Sequence, residues 1–470
     1  MKHNVQQEIK EHGKLIHHNF MSKRNFILLI IILVIVIIAV LGFLYLRKDT
    51  TTPTDPGIGT NFFSQFNPFG TKPTPPVTKP PVDVSGYQPP TAPEQTKLMK
   101  VSSMPVAGFT VFTKERLKDV PVAPLLVEEG VPGGETPTTP TAKKSTKVTP
   151  TAPLTEFVLA LRYVARSNGN IYQTFVDKIQ ERKFSKTVIP KVYDAYFGNR
   201  GNSVVMRYLK SNDETIETFV GALPKELLGG DTTINNEVKG SFLPNNVKDA
   251  SVSPDGSKIF YLFEDENGVV GTILNFTDNK KTQIFDSPFT EWLSVWPNSS
   301  LINLTTKPSA NIPGYVYTMN SSGSNLSKIL GDINGLTTLG GPNSKSILYG
   351  DDKLSLNIYN IDKRSSEKLG LKTLPEKCVW NKTGDFIYCA VPITVEGNLY
   401  PDAWYQGVTT FDDQFWKIDV KTGNTTIILD PVDEKGGTAI DGTKLTLDEN
   451  ENYLFFVNKK DSFLWKLDLK

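Results

Sequence analysis

The stretch "SVSPDGSKIFYLFEDENG", Ser251 to Gly268, decides how the chain folds. A polar turn, Ser253-Pro254-Asp255-Gly256, separates a short extended run from an apolar strand, Ile259 to Phe263. Proline fixes φ, while aspartate and glycine supply turn hydrogen bonds and positive φ, so the segment predicts a tight β-hairpin. Asp255 and Gly256 are read as turn residues rather than as an active-site loop.

Similar polar turns recur between apolar runs, in "FGNRGNSVVMRYL", "VWPNSSLINL", "LGGPNSKSILYG", "VWNKTGDFIYCAV" and "LDENENYLFFV". Most gaps are roughly 40 to 55 residues, the period of a four-stranded propeller blade. Third strands such as "QFWKIDVKTGN" and fourth strands such as "TTIILDP" complete the units. The fold class is therefore all-β, a seven-bladed β-propeller of four-stranded antiparallel blades spanning 97–470. The last unit shows three strands before Lys470, so "KLMKVS", Lys97 to Ser102, is expected to supply its outer strand and close the ring. A tract rich in Pro and Thr, about 114–153, reads as a disordered insertion.

Ahead of this domain, "FILLIIILVIVIIAVLGFLYL", Phe26 to Leu46, carries no charge. As a helix it would measure roughly 31 Å at about 1.5 Å per residue, which matches a bilayer core. It is read as a transmembrane helix, with 1–25 a cytoplasmic tail. Lys2, Lys10, Lys14, Lys23 and Arg24 precede it and only Arg47 and Lys48 follow closely, so the positive-inside rule places the domain outside the cytoplasm. Residues 47–96 form a Pro/Thr-rich linker that cannot bury enough apolar surface to fold and reads as an extended stalk.

The blade pattern resembles that of TolB-type and WD-repeat-like propellers, most closely at Ser253 to Gly256 and in "FWKIDVKTGN". The layout of anchor, stalk and propeller is also similar to that of membrane-anchored bacterial envelope proteins. The resemblance is to an architecture and implies no activity.

Composition narrows the chemistry. Lys plus Arg is 51 against 50 Asp plus Glu, so no nucleic-acid footprint shows. All four histidines, His3, His12, His17 and His18, precede the apolar span. The rest of the chain cannot use Ser-His-Asp or Cys-His activation, or a His-containing zinc site. No EF-hand spacing appears, and neighbouring acids such as Asp412 with Asp413, or Glu264, Asp265 and Glu266, read as solvated loop residues. No catalytic residue, cofactor or metal is expected.

Cys378 and Cys389 flank the turn "NKTGD" and would face each other across a hairpin, either bonded in an oxidising compartment or as two buried thiols. Asn-x-Ser/Thr occurs at Asn275, Asn298, Asn303, Asn320, Asn325, Asn381 and Asn424, in a surface generally rich in Asn and Thr. The loop Ile393 to Asp413 concentrates Tyr400, Trp404 and Tyr405, either as a recognition surface or folded back onto the domain. Three long departures from the repeat, Thr113–Pro153, Ala222–Asn246 and Ile393–Asp413, are expected on one face. The functional expectation is a non-enzymatic binding or scaffolding module with a protein or glycan partner in the cell envelope. The alternatives are a carboxylate-based hydrolase or lyase of wall polysaccharide, and an accessory subunit of an envelope membrane complex.

Overall fold

The computed structural model describes residues 96–118, 154–226, 236–397 and 399–470. The tail, the expected membrane span, nearly all of the linker and most of the expected disordered insertion lie outside the described residues. Among the described residues no helix is long and apolar enough to cross a membrane.

Strand β1 (Leu98–Lys100) opens the domain. Blade 1 is β2 (Val106–Leu117), β3 (Thr155–Ala165), β4 (Ile171–Phe175) and β5 (Arg182–Lys183). Blade 2 is β6 (Val192–Gly198), β7 (Ser203–Leu209), β8 (Ile216–Ala222) and β9 (Lys239–Phe242). Blade 3 is β10 (Val247–Val252), β11 (Lys258–Asp265), β12 (Gly268–Asn275) and β13 (Lys281–Ser287). Blade 4 is β14 (Trp292–Val295), β15 (Leu301–Thr306), β16 (Pro313–Asn320) and β17 (Ser327–Asn334). Blade 5 is β18 (Thr337–Gly340), β19 (Ser346–Gly350), β20 (Ser355–Asn360) and β21 (Ser365–Lys372). Blade 6 is β22 (Cys378–Trp380), β23 (Phe386–Pro392), β24 (Asp413–Asp419) and β25 (Thr425–Leu429). Blade 7 is β26 (Gly442–Leu447), β27 (Tyr453–Asn458) and β28 (Leu464–Asp468), with β1 as its fourth strand.

The domain is thus a seven-bladed propeller of four-stranded antiparallel sheets. Middle strands are apolar on both faces because each blade is sandwiched between two neighbours. In "GVVGTILN", β12, all but the last residue is buried, whereas the outermost β13 exposes its first three residues. The cores lie between blades: Val205 and Val220 pack with Val247, Ile259 and Tyr261, and Phe415 meets Phe456 with ring centroids 4.6 Å apart. Each such burial contributes about 1.5–3 kcal/mol. Blades 1 and 2 approach so closely that a Cβ on Gly108 would lie 2.0 Å from the Ala195 carbonyl oxygen. The opening hairpin turns at Gly256, whose φ of +69° suits glycine.

Strand β1 closes the ring as the outer strand of blade 7, as expected. Leu98 pairs with Leu467, Met99 with Lys466 and Lys100 with Trp465. Leu98 is buried against blade 7 and neighbouring blade 6, and Val101 between blade 7 and blade 1.

Strand direction alternates within a blade, so first-to-second and third-to-fourth connections emerge on one face, here the hairpin face. The remaining connections form the crossover face. The three long departures do not share a face. The strand ends that flank the first two, of β2 and β3 and of β8 and β9, lie on the hairpin face, while those of β23 and β24 lie on the crossover face.

Two misreadings account for this. The charged end of β2, "KERL", looks like tract sequence, yet it continues the ladder to Leu117 opposite Thr155. There Arg116 bonds Glu156 at 2.7 Å and Asp177. Strand β9, "KGSF", is exposed at every residue and so carries no apolar signal.

Candidate functional site

The inner strands of the first three blades begin alike. Register slips between Val106 and Gly108 in β2, between Val192 and Asp194 in β6, and between Val247 and Asp249 in β10. Such a bulge re-aims the side chain beside it. In blades 2 and 3 that residue is an aspartate within one pattern, Val192-Tyr193-Asp194-Ala195 and Val247-Lys248-Asp249-Ala250.

These aspartates anchor a polar belt around the axis. Asp194 accepts from Lys444 Nζ at 2.5 Å and from Arg207 Nη1 at 3.1 Å. Lys444 also donates to the Ala107 carbonyl at 2.7 Å, and Arg207 Nη2 to the carbonyls of Val247 and Lys248 at 2.7 and 2.8 Å. Asp249 accepts from the Ser294 N–H at 2.6 Å and its hydroxyl at 2.7 Å. Blades 7, 1, 2, 3 and 4 are linked in succession. Burial alone would push the Asp194 carboxyl up, but Lys444 and Arg207 outweigh it and hold it at about 2. At Asp249 burial prevails over the Ser294 bonds and raises the carboxyl above its usual range.

Between this belt and the hairpin face lies a cavity of about 970 Å³. Asp194 and Lys444 lie at its inner end, and Phe109, Tyr196, Val379 and Leu447 form apolar walls. Lys382, Asp448, Glu449 and Glu451 come from the turns at its mouth. With Asp194 matched by Lys444, and Asp448 buried and accepting from the Asn450 and Tyr453 N–H groups of its own turn, Glu449 and Glu451 at the mouth face the Lys382 ammonium. Glu451 accepts from Asn381 at 3.1 Å and from Tyr388 at 3.3 Å, which fixes its position on the rim.

The aromatic loop on the crossover face is built differently from a recognition loop. Tyr400 is 1% exposed and Trp404 5%, both in a cluster with Leu354, Leu374 and Phe411. Trp404 Nε1 donates to both oxygens of Asp441, at 3.2 and 3.0 Å. Asp402 accepts from the Ala310 N–H of blade 4 at 2.6 Å, and Lys459 of blade 7 lies 4.3 Å from the centre of the Trp404 ring. Of the three aromatics picked out in the sequence, two therefore serve packing. Tyr405, 36% exposed, donates to Glu376. Confinement among protein atoms pushes Glu376 up to about 7, against the bond from Tyr405 and the charge of Lys377. Its side chain remains solvent-accessible, so water tempers that shift.

Cys378 lies directly opposite Cys389 in the β22–β23 ladder, with Cα atoms 4.1 Å apart and the sulfurs bonded. Of the Asn-x-Ser/Thr sites, Asn303 and Asn381 are buried and closed to modification in the folded domain. The belt residues were not singled out in the sequence, although the repeated Val-x-Asp-Ala pattern marks two of them. Among the described residues no group of three or more His, Cys, Asp or Glu side chains is placed to hold a metal ion.

No family model matches the chain, and no curated protein matches it. Solved structures do resemble it in fold. An oligogalacturonate lyase from Vibrio parahaemolyticus aligns with a TM-score of 0.43 at 11% identity, over 67% of this chain and 86% of that one. An oligogalacturonate lyase in complex with manganese aligns with a TM-score of 0.43 at 9% identity, over 66% and 86%. The expectation that the chain is not an enzyme is accordingly withdrawn. A propeller architecture by itself gives no ground for excluding catalysis.

Proposed function

We propose that the protein is a membrane-anchored, extracytoplasmic propeller that binds a protein partner of the cell envelope through the hairpin-face mouth, taking a neutral or basic segment into the cavity. The reading rests on one observation: at the mouth of the cavity the β26–β27 turn sets Glu449 and Glu451 against Lys382 of the β22–β23 turn. An acidic rim above apolar walls attracts a lysine- or arginine-bearing segment and repels a polyanion. The same rim disfavours polyuronates as ligands. The test is fluorescence anisotropy of the purified full-length chain with a labelled oligolysine peptide and with oligogalacturonate. Binding of the peptide, weakened by salt and by Glu449→Lys with Glu451→Lys, is the expected result. Binding of oligogalacturonate in place of the peptide would overturn the reading.

A second reading, carboxylate-based cleavage of wall polysaccharide, draws on Glu376, whose solvent-accessible carboxyl accepts from the Tyr405 hydroxyl and is raised above its usual range. A carboxyl so raised suits proton transfer near neutral pH. Release of reducing ends from envelope polysaccharide, lost in Glu376→Gln, would support it.

A further inference from the structure

Lys377, Asp413 and Asp441 form a cluster with no solvent exposure at any of the three side chains. Lys377 sits in the 3₁₀ turn Pro375–Lys377 before β22, Asp413 opens β24, and Asp441 immediately precedes β26. Lys377 Nζ donates to Asp413 Oδ2 at 2.8 Å and to Asp441 Oδ1. The rings of Phe411 and Trp404 lie 5.3 and 5.4 Å from the same nitrogen. One ammonium thus faces two carboxylates inside an aromatic shell, and burying each such ion costs several kcal/mol.

The two carboxyls are held differently. Asp441 Oδ2 accepts from Trp404 Nε1 at 3.0 Å and from the Phe411 N–H at 3.1 Å, so donors are already placed where negative charge would build on an attacked carboxyl. Asp413 Oδ2 accepts from the Gly442 N–H at 2.7 Å, but its Oδ1 is buried with no partner. Burial pushes the Asp413 carboxyl up to about 6, against the charge and hydrogen bond of Lys377 and with the Asp441 charge adding to the rise. Asp413 can therefore both take up and release a proton.

We propose that Lys377 and Asp441 condense into an intramolecular isopeptide bond, with Asp413 carrying the protons. Asp413 takes a proton from the ammonium and passes it to Oδ1 of Asp441, and the freed Nζ lone pair attacks Cγ of the neutral carboxyl. The C–N bond forms while charge collects on Oδ2, facing Trp404 Nε1 and the Phe411 N–H. Asp413 then takes the surplus proton from the nitrogen and delivers it to the Oδ1 hydroxyl, and the C–Oδ1 bond breaks to release water. The ammonium and one carboxylate become a neutral amide, Asp413 ends as it began, and no oxidant or co-reactant is consumed. The water-poor surroundings favour a step that expels water and oppose its reversal.

The test is tandem mass spectrometry on a reduced and alkylated digest of the full-length chain. The expected result is one branched peptide joining the segments around Lys377 and Asp441, lighter than their sum by one water, with trypsin unable to cut after Lys377. Two separate peptides, with cleavage after Lys377, would overturn the proposal. Asp413→Asn should give the separate peptides. A branched peptide from that variant would overturn the role given to Asp413. Should the variant fail to fold, the wild-type digest decides alone.

Discussion

Lys444 on the innermost strand of blade 7 reaches past blade 1 to Asp194 on the innermost strand of blade 2, closing 2.5 Å between residues 250 positions apart. Asp194 is held at about 2, below the ordinary carboxylate value of about 3.9, so the interaction contributes stability above about pH 4 that is lost as pH falls toward about 2. Lys444→Met should lift the Asp194 carboxyl and move acid unfolding to higher pH. A double-mutant cycle with Asp194→Asn, followed by urea unfolding at neutral pH, should give a coupling of about 1 kcal/mol. Zero coupling would show that Arg207 alone satisfies the aspartate.

Glu376 titrates with the opposite sign. Its carboxyl is raised to about 7, so the folded state binds more protons than the unfolded chain between about pH 4 and about pH 7. This group alone should make stability fall as pH rises through that window. Glu376→Gln should flatten that part of the thermal-melting profile, and an unchanged profile would mean that water fully solvates the charge.

Trp404 is buried and bonded to Asp441, so Trp404→Ala should cost about 3–5 kcal/mol, read as a lowered urea midpoint. Tyr405→Phe removes only the hydroxyl bond to Glu376 and should leave the midpoint nearly unchanged. Equal losses from both would contradict the different burial of the two rings.

The bond between Cys378 and Cys389 closes a span of 11 residues. By the chain-entropy account Cys378→Ala with Cys389→Ala should lose about 2–3 kcal/mol. Thiol counting on the denatured, unreduced wild type should find no free thiol, and two free thiols would refute the pairing.

Deleting Lys97–Ser102 should leave β28 as an exposed edge, lowering the melting temperature and promoting association seen by light scattering. A monomeric deletion variant with an unchanged melting temperature would show that β1 is dispensable.

The blades were legible because turns such as Ser253-Pro254-Asp255-Gly256 and the apolar strands after them are set by local backbone chemistry. Ring closure followed from counting strands, whereas the turn "NKTGD" set Cys378 opposite Cys389 without deciding between a bond and two thiols. The placement of the long connections was not legible, since "KERL" and "KGSF" lack the apolar alternation that marks a strand and are held by partners distant in sequence. The loop aromatics illustrate the same limit: sequence places Trp404 in a loop, and only tertiary packing against Lys459 and Asp441 decides that the ring is buried. The belt around Asp194 and Asp249 was marked by a repeated tetrapeptide, but its meaning depends on bulges that bring separate blades to one axis.

Pairing β1 with β28 has a consequence for the order in which the chain can mature. Leu98 is made before any of the seven blades and its partner Leu467 lies in the last of them, so the outer edge of blade 7 cannot form until β28 has been made. Earlier blades can stack in succession while "LMK" waits unpaired, and the final association must close the longest loop in the domain. A ribosome that stalls before β28 therefore leaves an open arc with unpaired strand edges, so completion of the ring reports that all seven blades have been made.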